Sequence, residues 1–246
     1  MIEQISIDLS NYCSKGCPFC YNSSGRDGAT SWKPSEVIEF AKSCIEKGVK
    51  AVSLGGGEPL EYEGVFDVIK ALYPLTYLTL TTNGLPLDSP SIIESLKLHK
   101  PDKIHITIHQ PDNEAEVNRV ERQVQRIASI GIKPGLNLLV GAHKVAQAQN
   151  VYERMRKVLK SDQIILVPQR FSNTPSSKQL ASVSGGKPFQ SPSCLLKCQR
   201  PTNFCSVSWD KKVNSCSFAP NKEQLKTLDY RGLIEALEQV KWKSCQ

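Results

Sequence analysis

Three cysteines stand close together in NYCSKGCPFCYN, residues 11–22: Cys13, Cys17 and Cys20. The next cysteine is Cys44 and the first histidine is His99, so no fourth soft ligand is local. A closed structural zinc site takes four ligands, and the bacterial ferredoxin run is C-x2-C-x2-C-x3-C-P. The C-x3-C-x2-C spacing matches neither and describes an open metal site; a zinc site completed from a distance is the alternative. A second chemical stretch is SLGGGEPL, residues 53–60. Gly55, Gly56 and Gly57 carry no side chains, which lets a ligand approach the backbone. Pro59 disfavours helical geometry at Glu58 and holds it extended. Glu58 then becomes a fixed acceptor suited to an ammonium group, although such a turn alone could be only a tight strand-to-helix connection.

The elements that must position these residues follow from periodicity. Strands are expected from residue 3 through the stretch IEQISIDLS and at 50–56, 77–84, 103–111, 133–142 and 163–171, and helices at 33–48, 63–74, 89–99, 113–131 and 146–162. Alternation with short links means a parallel sheet with helical crossovers. The cysteine loop leaves the first strand, and GGGEP leaves the second, at the C-terminal edge where such folds place their sites. Cys44 falls on the apolar face of the first helix and reads as core. Residues 172–193 are rich in Ser, Gly and Pro and read as a mobile loop, either a lid hinged at Ser184, Gly185 and Gly186 with Phe189 packing on a ligand, or a passive tether.

Composition excludes several classes. The chain has 246 residues, a net charge of +7 and nine cysteines. No apolar run approaches the ~20 residues that span a bilayer, and the N-terminus is not a signal peptide. A cytoplasmic protein with no membrane partner is expected. An odd cysteine count in a reducing compartment points to metal or redox chemistry rather than a disulfide framework. The basic balance would suit an anionic ligand, but a solvated Lys/Arg surface accounts for it, and nucleic acid is not an expected partner.

Cys13-x3-Cys17-x2-Cys20 followed by Gly-Gly-Gly-Glu-Pro resembles the radical S-adenosylmethionine (SAM) enzymes. The resemblance implies a partial (β/α)6 TIM-like barrel of α/β class. It implies a [4Fe–4S] cluster on Cys13, Cys17 and Cys20 whose remaining iron chelates SAM. It further implies SAM contacts for Phe19, Tyr21, Gly55, Gly56, Gly57, Glu58, Pro59, Thr82, Asn83, Thr107, His109 and Asn137, with His105 beside them. Packing would equally explain the two aromatics, and a plain turn the TTNG stretch at 81–84.

The stretch CQRPTNFCSVSWDKKVNSCSF, residues 198–218, resembles the cysteine-rich twitch and SPASM extensions of peptide-modifying members. It departs from them in lacking a glycine after Cys198 and in having Lys211 where the turn glycine belongs. The expected division is a barrel over 1–190 and an extension over 191–246. A second, auxiliary Fe–S cluster on Cys194, Cys198 and Cys216 is expected, with Cys205 or Cys245 as fourth ligand; structural zinc on the same cysteines is the alternative. The implied activity is reductive cleavage of SAM and hydrogen-atom abstraction from a peptide or protein side chain. The alternatives are a small metabolite or nucleotide substrate, a glycyl-radical enzyme activase, and a non-enzymatic Fe–S electron carrier. A flavodoxin- or ferredoxin-like electron donor is the implied partner.

Overall fold

The computed structural model describes residues 1–186 and 199–243. Within them the chain divides into two compact units. One comprises residues 1–82, 89–102 and the described part of 200–245; the other comprises 83–88 and the described part of 103–199.

The first unit holds a sheet in the order β3-β2-β1-β7-β8-β9. β1 (Gln4–Asp8), β2 (Ala51–Gly55), β3 (Tyr77–Thr82) and β7 (Phe204–Val207) are parallel, and β8 (Lys212–Asn214) and β9 (Glu223–Gln224) are antiparallel additions. Strand period two sets one face: Ile5, Ile7, Val52, Leu54, Leu78, Leu80 and Val207 are almost wholly buried. α1 (Pro34–Glu46) starts on Pro34, whose missing N–H costs nothing at that position. It buries Val37, Phe40, Ala41 and Cys44 at helical spacing. Cys44 is core as expected, and burial pushes its thiol up to about 12. α2 (Val65–Leu72), α3 (Pro90–Leu98) and α7 (Tyr230–Gln239) complete this unit.

The tail past residue 199 does not stand apart. β7 pairs with β1 at Ile5↔Cys205 and Ile7↔Val207, so the C-terminal strands continue the sheet beyond β1. Asp229 caps α7 by accepting from Gly232 N at 2.7 Å, and Tyr230 N donates to Ser43 Oγ of α1 at 3.0 Å.

The second unit holds β4 (Lys103–Ile108), β5 (Lys133–Val140) and β6 (Ile164–Pro168), parallel and adjacent in that order. α4 (Glu114–Ser129) begins at Asn113, whose Oδ1 accepts from Glu116 N at 3.1 Å. Arg154 of α5 (Val145–Met155) ties to α4 through Glu114 at 2.6 Å and through Glu121. The expected loop over 172–193 contains a further helix, α6 (Ser177–Val183). Ser176 and Gln179 form a capping box, and Leu180 and Val183 are buried. Two apolar residues are too few to register as a helical period, which is why the segment reads as a loop. Phe189 lies outside the described residues.

Candidate functional site

The cysteine loop follows β1 and is zipped to the turn after β2. Gly57 N donates to Ser10 O at 2.6 Å and Glu58 N to Tyr12 O at 2.9 Å. Glu61 then takes Ser14 from both sides, accepting its N–H at 2.9 Å and its hydroxyl. Cys13 N donates to Gly25 O and Cys20 N to Cys17 O, closing the loop on itself. Glu61 was not singled out in the sequence, because a carboxylate three residues past Glu58 carries no pattern of its own. Cys13 is buried, while Cys17 and Cys20 are half-exposed. Among the described residues no three His, Cys, Asp or Glu side chains already stand together as a metal site. The donor chemistry nevertheless fits an iron–sulfur cluster, since three thiols share one loop whose flanks are fixed by backbone bonds.

The glycines lie against the cysteine loop. A Cβ on Gly57 would lie 1.9 Å from Tyr12 O, and one on Gly56 would lie 2.3 Å from Ser10 O. The space that side chains on Gly56 and Gly57 would take is filled by the start of the cysteine loop. Gly56 also takes φ +117, open to glycine and strained for other residues. Pro59 opens a one-turn 3-10 helix, Pro59–Glu61, and Glu58 caps it, accepting from Leu60 N at 3.1 Å. Glu58 is 1% exposed, and the same oxygen accepts from Thr82 Oγ1 at 2.7 Å. Two of the expected residues, Glu58 and Thr82, are thus brought into direct contact.

Tyr21 follows Cys20 and packs its ring 4.8 Å from that of Phe218, in the tail. The residue as a whole is 40% exposed. Its hydroxyl end is buried, and that burial, with the negative charges of Asp8, Cys20 and Cys216, holds its pKa well above the ordinary value. Cys216 is therefore on the same side of this unit as the cysteine loop. Phe19 is half-buried.

Cys205 is on β7. It is completely buried, in register with Ile5, and burial raises its thiol strongly, with Cys44 close enough to add to the effect. It lies in the core of this unit. Cys194, Cys198 and Cys245 lie outside the described residues.

Lys211 occupies the turn position where a glycine is expected, and it takes φ +61. Its ammonium pairs with Glu36 at 3.0 Å and lies 5.2 Å from the centre of the Trp32 ring. Trp32 in turn donates to Ser208 O at 3.1 Å. The hairpin of β7 and β8 is held to the start of α1 by these contacts, which offset the left-handed backbone.

The second unit carries the remaining expected residues. Asn83 Oδ1 accepts from Leu85 N at 2.7 Å in an Asx turn. Arg119 donates to Asn83 O, and Gln123 to Gly84 O at 2.8 Å, fixing the turn to α4. Thr107 and Asn137 are in register on β4 and β5. Asn137 hydrogen-bonds His105, whose other ring nitrogen, Nδ1, has no partner among the described residues. Burial lowers His105 to about 4, so it is neutral at physiological pH. His109 Nδ1 lies 3.5 Å from Glu116 Oε1, and the same carboxylate accepts from His109 N at 3.0 Å.

Comparison with known proteins adds to this geometry. Among curated sequences, the chain is 27% identical over 142 residues to a "Probable GTP 3',8-cyclase" of Methanocella arvoryzae, covering 54% of this chain and 46% of that one. It is 34% identical over 92 residues to the "GTP 3',8-cyclase" of Clostridium perfringens, covering 35% and 28%. The chain thus spans about half or less of the length of these relatives. Among solved structures it is similar to Streptococcus suis SuiB bound to precursor peptide SuiA, with TM-score 0.69 and 15% identity over 88% of this chain and 60% of that one. It is also similar to anSMEcpe with bound AdoMet and Cp18Cys peptide, with TM-score 0.65 and 14% identity over 94% and 80%. These likenesses show the fold, α/β of the open, partial (β/α)6 barrel type. Residues 7–170 match the family model described as the radical SAM superfamily. The chain belongs to that superfamily, whose members are enzymes that use a [4Fe–4S] cluster and SAM.

Proposed function

We propose that this chain removes a hydrogen atom from a peptide or protein side chain, with the cysteine loop and the GGGEP turn as its reaction site. The observation that carries the reading is the zipper between those two segments, which joins a three-thiol loop to a turn bearing a buried carboxylate. When bound, the cluster and SAM supply a 5′-deoxyadenosyl radical. Cys13, Cys17 and Cys20 would hold the cluster. Glu58 would accept the SAM ammonium, oriented by Leu60 N and Thr82. Phe19 and Tyr21 would line the cluster side. Asn83, Thr107, His109 and Asn137 keep their SAM assignment on the resemblance alone.

The peptide class is supported by the solved structures bound to peptides, whose likeness takes in 88% and 94% of the chain. A second reading, a nucleotide substrate, is favoured by the cyclase relatives, which share more sequence identity over a shorter stretch. An auxiliary Fe–S cluster would use Cys194, Cys198 and Cys216 with Cys205 or Cys245 as fourth ligand, and a flavodoxin- or ferredoxin-like protein would deliver the electron.

The test is anaerobic reconstitution followed by dithionite and SAM. Wild-type protein should form 5′-deoxyadenosine, and Cys17→Ala should form none. Undiminished cleavage in that variant removes the assignment. Stimulation of cleavage by GTP would select the nucleotide reading. Iron analysis of a Cys13→Ala/Cys17→Ala/Cys20→Ala variant should show half of the wild-type iron retained; complete loss would remove the auxiliary cluster.

A further inference from the structure

Asp8 ends β1 on the sheet face turned away from Ile5 and Ile7. That face is polar. Ser6 is in register with Ser53 of β2 and Ser206 of β7, Ser53 with Thr79 of β3, and Asp8 itself with Gly55. Asp8 is 6% exposed, yet its carboxylate accepts no hydrogen bond from any described residue. Burial holds it up to about 6.

The charged and titratable groups that face it come from two directions. Lys222 and Asp210 act on it from the tail, and its own charge reaches the Tyr21 hydroxyl of the cysteine loop. Asp210 is already engaged by Lys212 at 2.5 Å and by Ser208 at 2.5 Å. Lys222 attracts Asp8 without forming an ion pair with it. The Tyr21 hydroxyl feels the Asp8 charge, and the Tyr21 ring packs 4.8 Å from the Phe218 ring. A buried carboxylate with no donor is costly, and a ligand that brings one recovers the loss. An anionic group arriving here would meet two carboxylates.

We propose that Asp8 is a substrate-anchoring residue that accepts a hydrogen bond from a protonated amine of the substrate, whose apolar stem lies against Tyr21 and Phe218. The inference rests on the cysteine loop being the reaction site. It adds a substrate class: a group with a cationic nitrogen near the reacting end.

The experiment uses the cluster-loaded protein and two probes of matched shape, benzylamine and benzoate, with binding followed by saturation-transfer NMR. Benzylamine should bind at least tenfold more tightly than benzoate, and Asp8→Asn should weaken benzylamine about tenfold, the effect of losing one charge-assisted hydrogen bond. The comparison of probes on wild-type protein needs no variant and holds if Asp8→Asn does not fold. Equal binding of the two probes, no binding of benzylamine, or benzylamine affinity unchanged within twofold in folded Asp8→Asn would each overturn the proposal. Formation of 5′-deoxyadenosine by wild-type protein is read in parallel. Its absence overturns the reaction site and this proposal together; its presence with benzylamine indifferent to Asp8 overturns the proposal alone.

Discussion

Thr82 Oγ1 donates to Glu58 Oε1 at 2.7 Å, joining the end of β3 to the turn after β2. The bond is buried, and Leu60 N donates to the same oxygen. A side chain held this way is aimed before any ligand arrives, which is the condition for a charged acceptor to act without reorganising.

Glu58→Gln should keep the fold, because the amide oxygen can still accept from Thr82 and Leu60. Only the charge is removed. SAM affinity should fall about ten- to hundredfold, the equivalent of about 1.5–3 kcal/mol. Equilibrium dialysis with labelled SAM checks this, and affinity unchanged within twofold means that Glu58 does not meet the SAM ammonium.

Thr82→Val removes the donor and leaves the Glu58 carboxylate less satisfied in a buried site. Unfolding free energy should drop by about 1–3 kcal/mol. Denaturant titration reads it; an unchanged midpoint would show that another group takes over the acceptor.

Gly57→Ala places a methyl group where Tyr12 O already lies. The turn and the cysteine loop must then separate, at a cost of about 1–3 kcal/mol. Iron uptake on reconstitution should fall together with thermal stability. Full iron loading with a wild-type melting curve would show the zipper to be dispensable.

Lys211 is expected to rank above both glycine and alanine at its position. Alanine keeps the left-handed strain and loses the contacts to Glu36 and Trp32, costing about 1–2 kcal/mol. Glycine loses the same contacts but relieves the strain, so Lys211→Gly should be the more stable variant by about 1 kcal/mol. Melting curves of the three proteins give the order, and alanine equal to wild type would mean that neither contact contributes.

Asp8 is ionised more easily when unfolded than when folded, because burial raises it from 3.8 to about 6. Its protonated form therefore favours the fold below the unfolded value, and that advantage disappears as pH rises through about 6. Relative to wild type, Asp8→Asn should gain stability between pH 4 and pH 7.5, by about 2–3 kcal/mol at most. Denaturation at the two pH values measures the gain, and a pH-independent difference would show that Asp8 has a partner in the fold.

The local rules of the chain were readable without coordinates. Strand and helix periods in residues 4–168 come from alternate and 3.6-spaced burial, which sequence carries directly, and the open three-cysteine loop followed by Gly-Gly-Gly-Glu-Pro carried the family. The position of Lys211 in a turn that wants glycine was equally plain, since a left-handed residue is a local requirement.

Tertiary structure decided what depends on pairing across long separations. Strand register put Cys205 in the core beside Ile5, while Cys216 is only half-buried, although as letters the two cysteines are equivalent. Close backbone approach adds a requirement at Gly56 and Gly57 that letters do not show, because the atoms that fill the space beside them come from residues 10 and 12. Two buried side chains were enough to make α6 a helix by packing, below what periodicity can signal. Asp8 gives no sign of itself in the sequence: one carboxylate at a strand end becomes chemically distinct only when folding takes it out of water and leaves it without a donor.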